Sequence, residues 1–336
     1  MNRKVAGSVA GFATCYSFMG LFSSGNHDNT NPPPPLPPAP VSPPASRNSK
    51  SGNAIRSPEE LGINPSGFFK YGFPGPVNDL ESKQEFVSCY DRRNKNPYWV
   101  LEHINKDSIT SNRDVDRKYS VFKEDEKIPQ KFRALLKDYF KSGYDRGHQA
   151  PAADAKFNQL AMNETFDLTN IAPQVGDGFN RDYWAHLEDF CRRLTKKYDS
   201  VRIITGPLYL PKKFPDGKFR VVYEVIGNPP NVAVPTHFFK LVVGEKDSDP
   251  KSVAVSAFVL PNDKISNDTP LTDFQVPVEA LERSSGLTFF NKLDSSVKVK
   301  NMCHEVSCSI IVRDFSNKMK AIGDGKGQLA LPAPRN

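Results

Sequence analysis

Tyr144-Asp145-Arg146-Gly147-His148-Gln149-Ala150-Pro151-Ala152-Ala153-Asp154 is the stretch around which the rest of the chain makes sense. It places a fixed cation, a backbone hinge and a titratable ring within three residues. Arg146 offers a planar fork of donors suited to phosphate oxygens. Gly147 lets the chain turn sharply or lets another group approach the backbone closely. His148, with an unperturbed pKa of about 6.5, can take a proton from water near neutral pH. A cation for phosphate and a base for water are two of the three parts needed to hydrolyse a phosphodiester, and the third is a metal ion. Taken alone, the four residues 145–148 also suit a surface salt bridge and a histidine capping a turn.

Two further segments follow in order. The first is Thr169-Asn170-Ile171-Ala172-Pro173-Gln174, and the second spaces Asn180, Trp184 and Glu188 four residues apart. Together the three elements resemble the DNA/RNA non-specific endonuclease family. The resemblance implies an α+β fold of the ββα-metal (His-Me finger) type with a central antiparallel sheet. It also implies Mg²⁺, with Mn²⁺ as a substitute, held by Asn180. In that scheme His148 is the general base, Arg146 and Arg117 face the substrate phosphate, and Glu188 holds water around the ion. Asn170 would support His148 or the substrate. Chemically, the amide oxygen of Asn180 is a hard ligand of the kind magnesium takes, often with only one or two protein groups. Asn180 also suits a helix N-cap, Glu188 a solvated helix position, and Arg117 a solvated turn. Glu188 lies eight residues beyond Asn180, about 12 Å along a straight helix at ~1.5 Å per residue. That spacing favours an outer-sphere role unless the helix starts late or bends.

The whole chain has 336 residues, 38% hydrophobic and 25% charged, with a formal net charge of +7. Its pI near 9.0 favours polyanionic partners in general; the resemblance implies that these are DNA and RNA. Five cysteines, Cys15, Cys89, Cys191, Cys303 and Cys308, show no Cys-x-x-Cys spacing, so a zinc site is not expected. Cys303 and Cys308 are close enough in sequence to bridge, but two reduced thiols are the favoured reading.

Residues 1–25 read as a targeting or anchor segment, with Arg3 and Lys4 before an uncharged run. Residues 26–60 form a Pro-rich spacer that cannot build a core. The nuclease-like domain is expected over 61–315, with a Gly/Pro-containing tail over 316–336. Composition slightly favours a secreted protein over a mitochondrial one.

Patterning predicts strands at 86–91 and 98–104, around a charged turn, with Trp99 in the core. A short amphipathic helix is expected at 131–140, a strand over 165–171 ending near Asn170, and a long helix between Asn180 and Tyr198. His186 reads as a surface residue of that helix. Strands should follow at 201–207, 221–226, 232–234, 237–243 and 253–259.

Several strings resemble the mitochondrial endonuclease G branch of the family, in particular its exo/endonuclease G-like paralogue. They include Asn96-Pro97-Tyr98-Trp99-Val100-Leu101-Glu102-His103-Ile104, Asp116-Arg117-Lys118 and Pro235-Thr236-His237-Phe238-Phe239-Lys240. The branch implies a mitochondrial address, at the inner membrane or intermembrane space, an N-terminal membrane anchor and a homodimer. It also brings 5′–3′ exonuclease activity into view. A secreted nuclease and a catalytically silent nucleic-acid-binding module are the alternatives. Two departures stand out. Asn170 and Asn180 are one residue further apart than the family spacing, so the loop 175–179 is expected to be rebuilt, with Asp177 a competing ligand. The paralogue's C-terminal helical wing has no counterpart in the tail, which favours endonuclease action.

Overall fold

A computed structural model describes residues 70–72, 79–110 and 112–313. The targeting segment, the Pro-rich spacer and the tail expected at 316–336 lie outside the described residues. β1 (Leu80–Ser82), β2 (Phe86–Asp91) and β3 (Asn96–Ile104) form an antiparallel meander. Its β2–β3 turn is the predicted one, with Asp91 Oδ1 accepting from the amides of Arg93 and Asn94. The chain then leaves the sheet for residues 105–199. This excursion holds α1 (Leu136–Tyr139), β4 (Asp145–His148), α2 (Gln159–Glu164), β5 (Ile171–Gln174) and α3 (Tyr183–Leu194). It returns as β6 (Ser200–Leu208), which pairs antiparallel with β3, Val100 opposite Thr205.

Two small pairs follow, β7 (Lys212–Lys213) with β8 (Phe219–Arg220), and β9 (Val225–Ile226) with β10 (Val232–Ala233). β11 (His237–Glu245) and β12 (Ser252–Pro261) complete the sheet centre, and β13 (Gln275–Val276) flanks β12. α4 (Val278–Ser285), β14 (Lys298–Asn301) and α5 (Met302–Glu305) close the described chain. The main sheet runs β1-β2-β3-β6-β11-β12-β13, with β14 added parallel to β12.

Strand side chains alternate between faces, and β11 shows what this sheet does with that rule. Phe238 and Val242 join the core under α3, while Phe239, Leu241 and Val243 join the opposite core with Leu281 of α4. Each face is thus closed by one amphipathic helix. The excursion is pinned to the sheet edge by Lys83, 9% exposed, whose Nζ meets Glu81, Asp125 and Asp167 at 2.7, 3.2 and 2.8 Å.

Several local expectations are corrected. The helix expected at 131–140 is a 3-10 turn, Gln130–Phe132, followed by the single turn of α1. The Tyr90 hydroxyl donates to Phe132 O and accepts from Ala134 N, diverting the backbone groups a continuous helix would need. The strand expected at 165–171 is largely a 3-10 turn, Leu168–Asn170, with β5 starting at Ile171. Only Val225–Ile226 of the run 221–226 pairs as strand, and Val221 and Val222 are exposed. His186 is buried, not on the surface, because α3 is covered on more than its apolar stripe. Cys303 and Cys308 form a disulfide instead of two thiols, since the turn of α5 brings their Cα atoms to 5.1 Å.

Candidate active site

β4 and β5 form a two-stranded antiparallel hairpin standing off the main sheet, Arg146 opposite Pro173 and His148 opposite Ile171. Gly147 is required by a close approach: a Cβ there would lie 2.0 Å from Gln174 Oε1. Alternation along β4 sends Arg146 and His148 to one side and Asp145 to the other. One short strand therefore serves two parts of the site.

Phe122 and Phe166 wall the His148 ring, with centroids at 5.4 and 4.7 Å, the latter edge-on. The two phenylalanines also meet each other at 4.8 Å. Each carries a guanidinium: Arg146 Cζ sits 4.2 Å from the Phe122 centroid, and Arg117 Cζ 5.4 Å from that of Phe166. Cation–π attraction thus fixes both arginine heads around the imidazole. His148 is 8% exposed; Nε2 is buried without a partner, which leaves Nδ1 as the nitrogen that meets solvent. Burial, then Arg117 and Arg146, push its pKa well below the usual imidazole value, so the ring is neutral at pH 7.

Asn170 is fully buried and spends its amide on the main chain. Its Oδ1 accepts from Ala150 N at 2.9 Å, and Nδ2 donates to Ala150 O and Thr165 O at 2.9 and 2.8 Å. Gln149 N adds a bond to Asn170 O at 3.0 Å. Asn170 therefore clamps the two residues after His148 and has no side-chain N–H left to donate to a substrate phosphate.

Asn180 closes a wide turn, Gly176–Asn180, held by Asn180 N to Val175 O at 2.9 Å and Arg181 N to Gly176 O at 3.0 Å. Bonds of this i→i−5 kind make the turn one residue wider than an α-helical one. Gly178, at φ 77° and packed against Lys264, makes the turn feasible. The N-cap of α3 is Asp182, two residues on. Asn180 Nδ2 donates to Asp145 Oδ2 at 2.9 Å, and Arg181 Nη1 reaches Asp145 Oδ1 at 3.0 Å. With its nitrogen so committed, the amide orientation is fixed and Oδ1 has no donor among the described residues. Asp177 is exposed and lies 3.4 Å from Lys264 Nζ.

Glu188 stands in the second turn of α3, which begins only at Tyr183, so the straight-helix distance from Asn180 does not apply. Burial raises its pKa from 4.5 to about 7, against the pull of Lys240, Arg192 and Arg117. Arg192, one helical turn later, donates to Asp154 Oδ1 at 2.7 Å, and Asp154 is 1% exposed. The 145–154 stretch thus touches the site at both ends. The sequence reading gave no role to Phe122, Phe166, Asp154 or Arg192. Only Arg192 had a signal, its i,i+4 spacing from Glu188; isolated phenylalanines carry none.

Among the described residues no group of three or more His, Cys, Asp or Glu side chains could hold a metal ion. The donor set instead suits a hard, largely hydrated cation: one oriented amide oxygen, with Glu188 to accept from surrounding water.

Comparison with known proteins places these features in a family. The profile described as DNA/RNA non-specific endonuclease matches residues 64–296. A Saccharomyces cerevisiae protein named mitochondrial nuclease is 63% identical over 290 residues, 85% of this chain and 87% of its own. Nuclease 1, mitochondrial, of Schizosaccharomyces pombe is 51% identical over 284 residues, 84% of this chain and 88% of its own. A solved structure described as the EndoG/EndoGI complex aligns with TM-score 0.67 and 47% identity, covering 74% of this chain and 100% of that one.

Proposed function

This chain belongs to the DNA/RNA non-specific endonuclease family, and we propose that it hydrolyses phosphodiesters of DNA and RNA with His148 as general base beside a Mg²⁺ ion on Asn180. It is a mitochondrial non-specific nuclease. The observation that carries the catalytic reading is the Asp145–Asn180 bond. One strand, β4, supplies both the base and the carboxylate that turns the Asn180 oxygen outward, so base and ligand keep a fixed relation.

His148 Nδ1 removes a proton from water as its oxygen attacks phosphorus, and the P–O bond to the departing oxygen breaks. Arg146 and Arg117 hold the non-bridging oxygens. Burial first, and then their charges, keep His148 neutral in the free protein. An anionic phosphate between them offsets those charges and makes the ring more basic as substrate arrives. When bound, Mg²⁺ supplies positive charge against the developing phosphate and leaving-oxygen charge, with Mn²⁺ a workable substitute. Glu188 orients water near the ion, and Asn170 keeps the chain after His148 in place. Contacts to phosphate and not to base edges account for weak sequence preference.

The test is nicking of supercoiled plasmid and degradation of RNA, with Mg²⁺ or EDTA, by wild type, His148→Ala and Asn180→Ala. A closed circle has no end, so nicking also reports endonuclease action and isolates it from any 5′–3′ exonuclease component. Metal-dependent cleavage, reduced about 10²–10⁴-fold in His148→Ala and lost in Asn180→Ala, is expected. Near-full activity in either variant overturns the assignment, and binding without cleavage by wild type turns the reading to the silent module. The homodimer is checked by light scattering.

A further inference from the structure

Lys240 lies at the middle of β11, 1% exposed, on the sheet face under α3. A lysine there is costly unless it does something specific, because a buried ammonium loses its hydration. No carboxylate comes within ion-pair distance of it among the described residues. Its Nζ donates to Thr205 Oγ1 at 2.8 Å, reaches Gln149 O at 3.4 Å and stands 5.0 Å from the Trp184 ring centroid. Thr205 is its cross-strand partner on β6. Gln149 immediately follows His148, on a hairpin that is not part of the main sheet. Lys240 therefore reaches from the sheet interior to the segment carrying the base. Asn262, just beyond β12, ties the other strand of the hairpin through Pro173 O at 3.1 Å and the next residue through Val175 N at 2.9 Å.

We propose that Lys240 is a positioning residue for the reaction: its ammonium fastens the main chain just after His148 to the centre of the sheet and so sets where the imidazole stands. Asn170 holds the same two residues from the hairpin side. The segment is thus gripped between the excursion and the sheet, and release of either grip lets the ring drift from the Arg146 and Arg117 heads. A misplacement of about 1 Å at a reacting group costs on the order of 10²-fold in rate. The inference rests on His148 being the base.

Lys240→Met keeps the stem and removes the ammonium. It also leaves the buried Glu102 without the largest influence that favours its ionised form, so the variant can lose stability for that reason alone. Lys240→Met/Glu102→Gln removes the ammonium and the buried carboxyl group together and keeps the test decisive. In the double variant thermal stability is expected to recover, with kcat still reduced about 10–100-fold and KM within about twofold of wild type. Hydrogen exchange at the Gln149 and Ala150 amides, measured without added metal, is expected to be faster than in wild type. Wild-type kcat in the double variant overturns the proposal and makes Lys240 a mere counter-charge, as does unchanged exchange at both amides. If wild type itself fails to cleave, the nuclease reading falls, while the exchange data still decide whether Lys240 holds the segment.

Discussion

The two faces of one sheet are built on different principles. On the face under α4, Leu101, Ile204, Leu241, Val243, Val255 and Phe289 pack as an apolar layer; the buried Arg202, paired with Glu245, sits near one end. On the face under α3, the same strands interleave Phe238 and Val242 with Glu102, Thr205 and Lys240, all buried. The difference follows from the two-residue strand period: alternate positions of β3, β6 and β11 answer to different demands. One face supplies burial, roughly 25 cal/mol per Å² of apolar surface. The other gives up part of that to hold charged and polar groups behind the site, where low dielectric makes each of them matter. If stability and chemistry divide between the two sides of the sheet, a truncation on one side should leave the property of the other intact.

The sharpest way to break that contrast is a pair of truncations. Leu241→Ala, on the apolar face and 0% exposed, is expected to cost about 2–5 kcal/mol of stability while the folded fraction keeps its kcat. His148→Ala is expected to do the reverse, with a melting temperature near wild type and the large loss of rate already given. Denaturant melts with kinetics on the same preparations check both. A Leu241→Ala protein whose folded fraction has lost 10²-fold in kcat would show that the two faces are not separable.

How far the sequence reveals this arrangement depends on the range of each interaction. The strands of the sheet were legible because their signal is local: β2, β3, β6, β11 and β12 all stand where apolar, β-branched and aromatic runs put them. The hairpin's His148 and Arg146, and the helix bearing Glu188, were legible through motif spacing. The excursion was not. Tyr90 breaks the 131–140 helix from 42 and 44 residues away, and Asn170 bends 165–170 by bonding across to Ala150. Phe122 reaches His148 over 26 residues of chain without any periodic pattern. Lys240 reads as an ordinary strand residue in Phe-Phe-Lys-Leu-Val-Val, and only the packing of β11 against the excursion shows where its ammonium ends.

A second prediction sharpens the contrast through pH. Burial raises Glu188 from 4.5 to about 7, so the fold prefers its protonated form. Its contribution to stability is fully present below about 4.5 and is lost as pH rises towards 7. The carboxylate form, which the proposed reaction uses to order water, appears in the folded protein only around pH 7 and above. Glu188→Gln is expected to match wild type in melting temperature near pH 4.5 and to exceed it at pH 8, measured without added metal. The gain is about 2–4 °C for each kcal/mol removed. Its kcat at pH 8 should fall, on the order of tenfold or more. Equal melting curves at both pH values would show that Glu188 is not held protonated by burial.

The smallest effect is expected at the edge of the catalytic face, where the Cys303–Cys308 disulfide closes a short loop beside α5. Cys303 Sγ lies 3.3 Å from Ser256 Oγ on β12, and Met302 enters the core under α3. The bridge therefore belongs to the catalytic face by packing, yet none of the residues around His148 or Asn180 bonds to it. The two cysteines are only five positions apart, so the chain entropy removed from the unfolded state is small, about 2 kcal/mol. Met302, fully buried, holds the turn by apolar contact whether or not the bond is present. Cys303→Ser/Cys308→Ser is accordingly expected to lower the melting temperature by a few degrees and leave nicking of supercoiled plasmid within about twofold of wild type. A tenfold loss of nicking would mean that strain at α5 is felt at α3 and Glu188, and the face would then act as one mechanical unit instead of a site resting on a passive support.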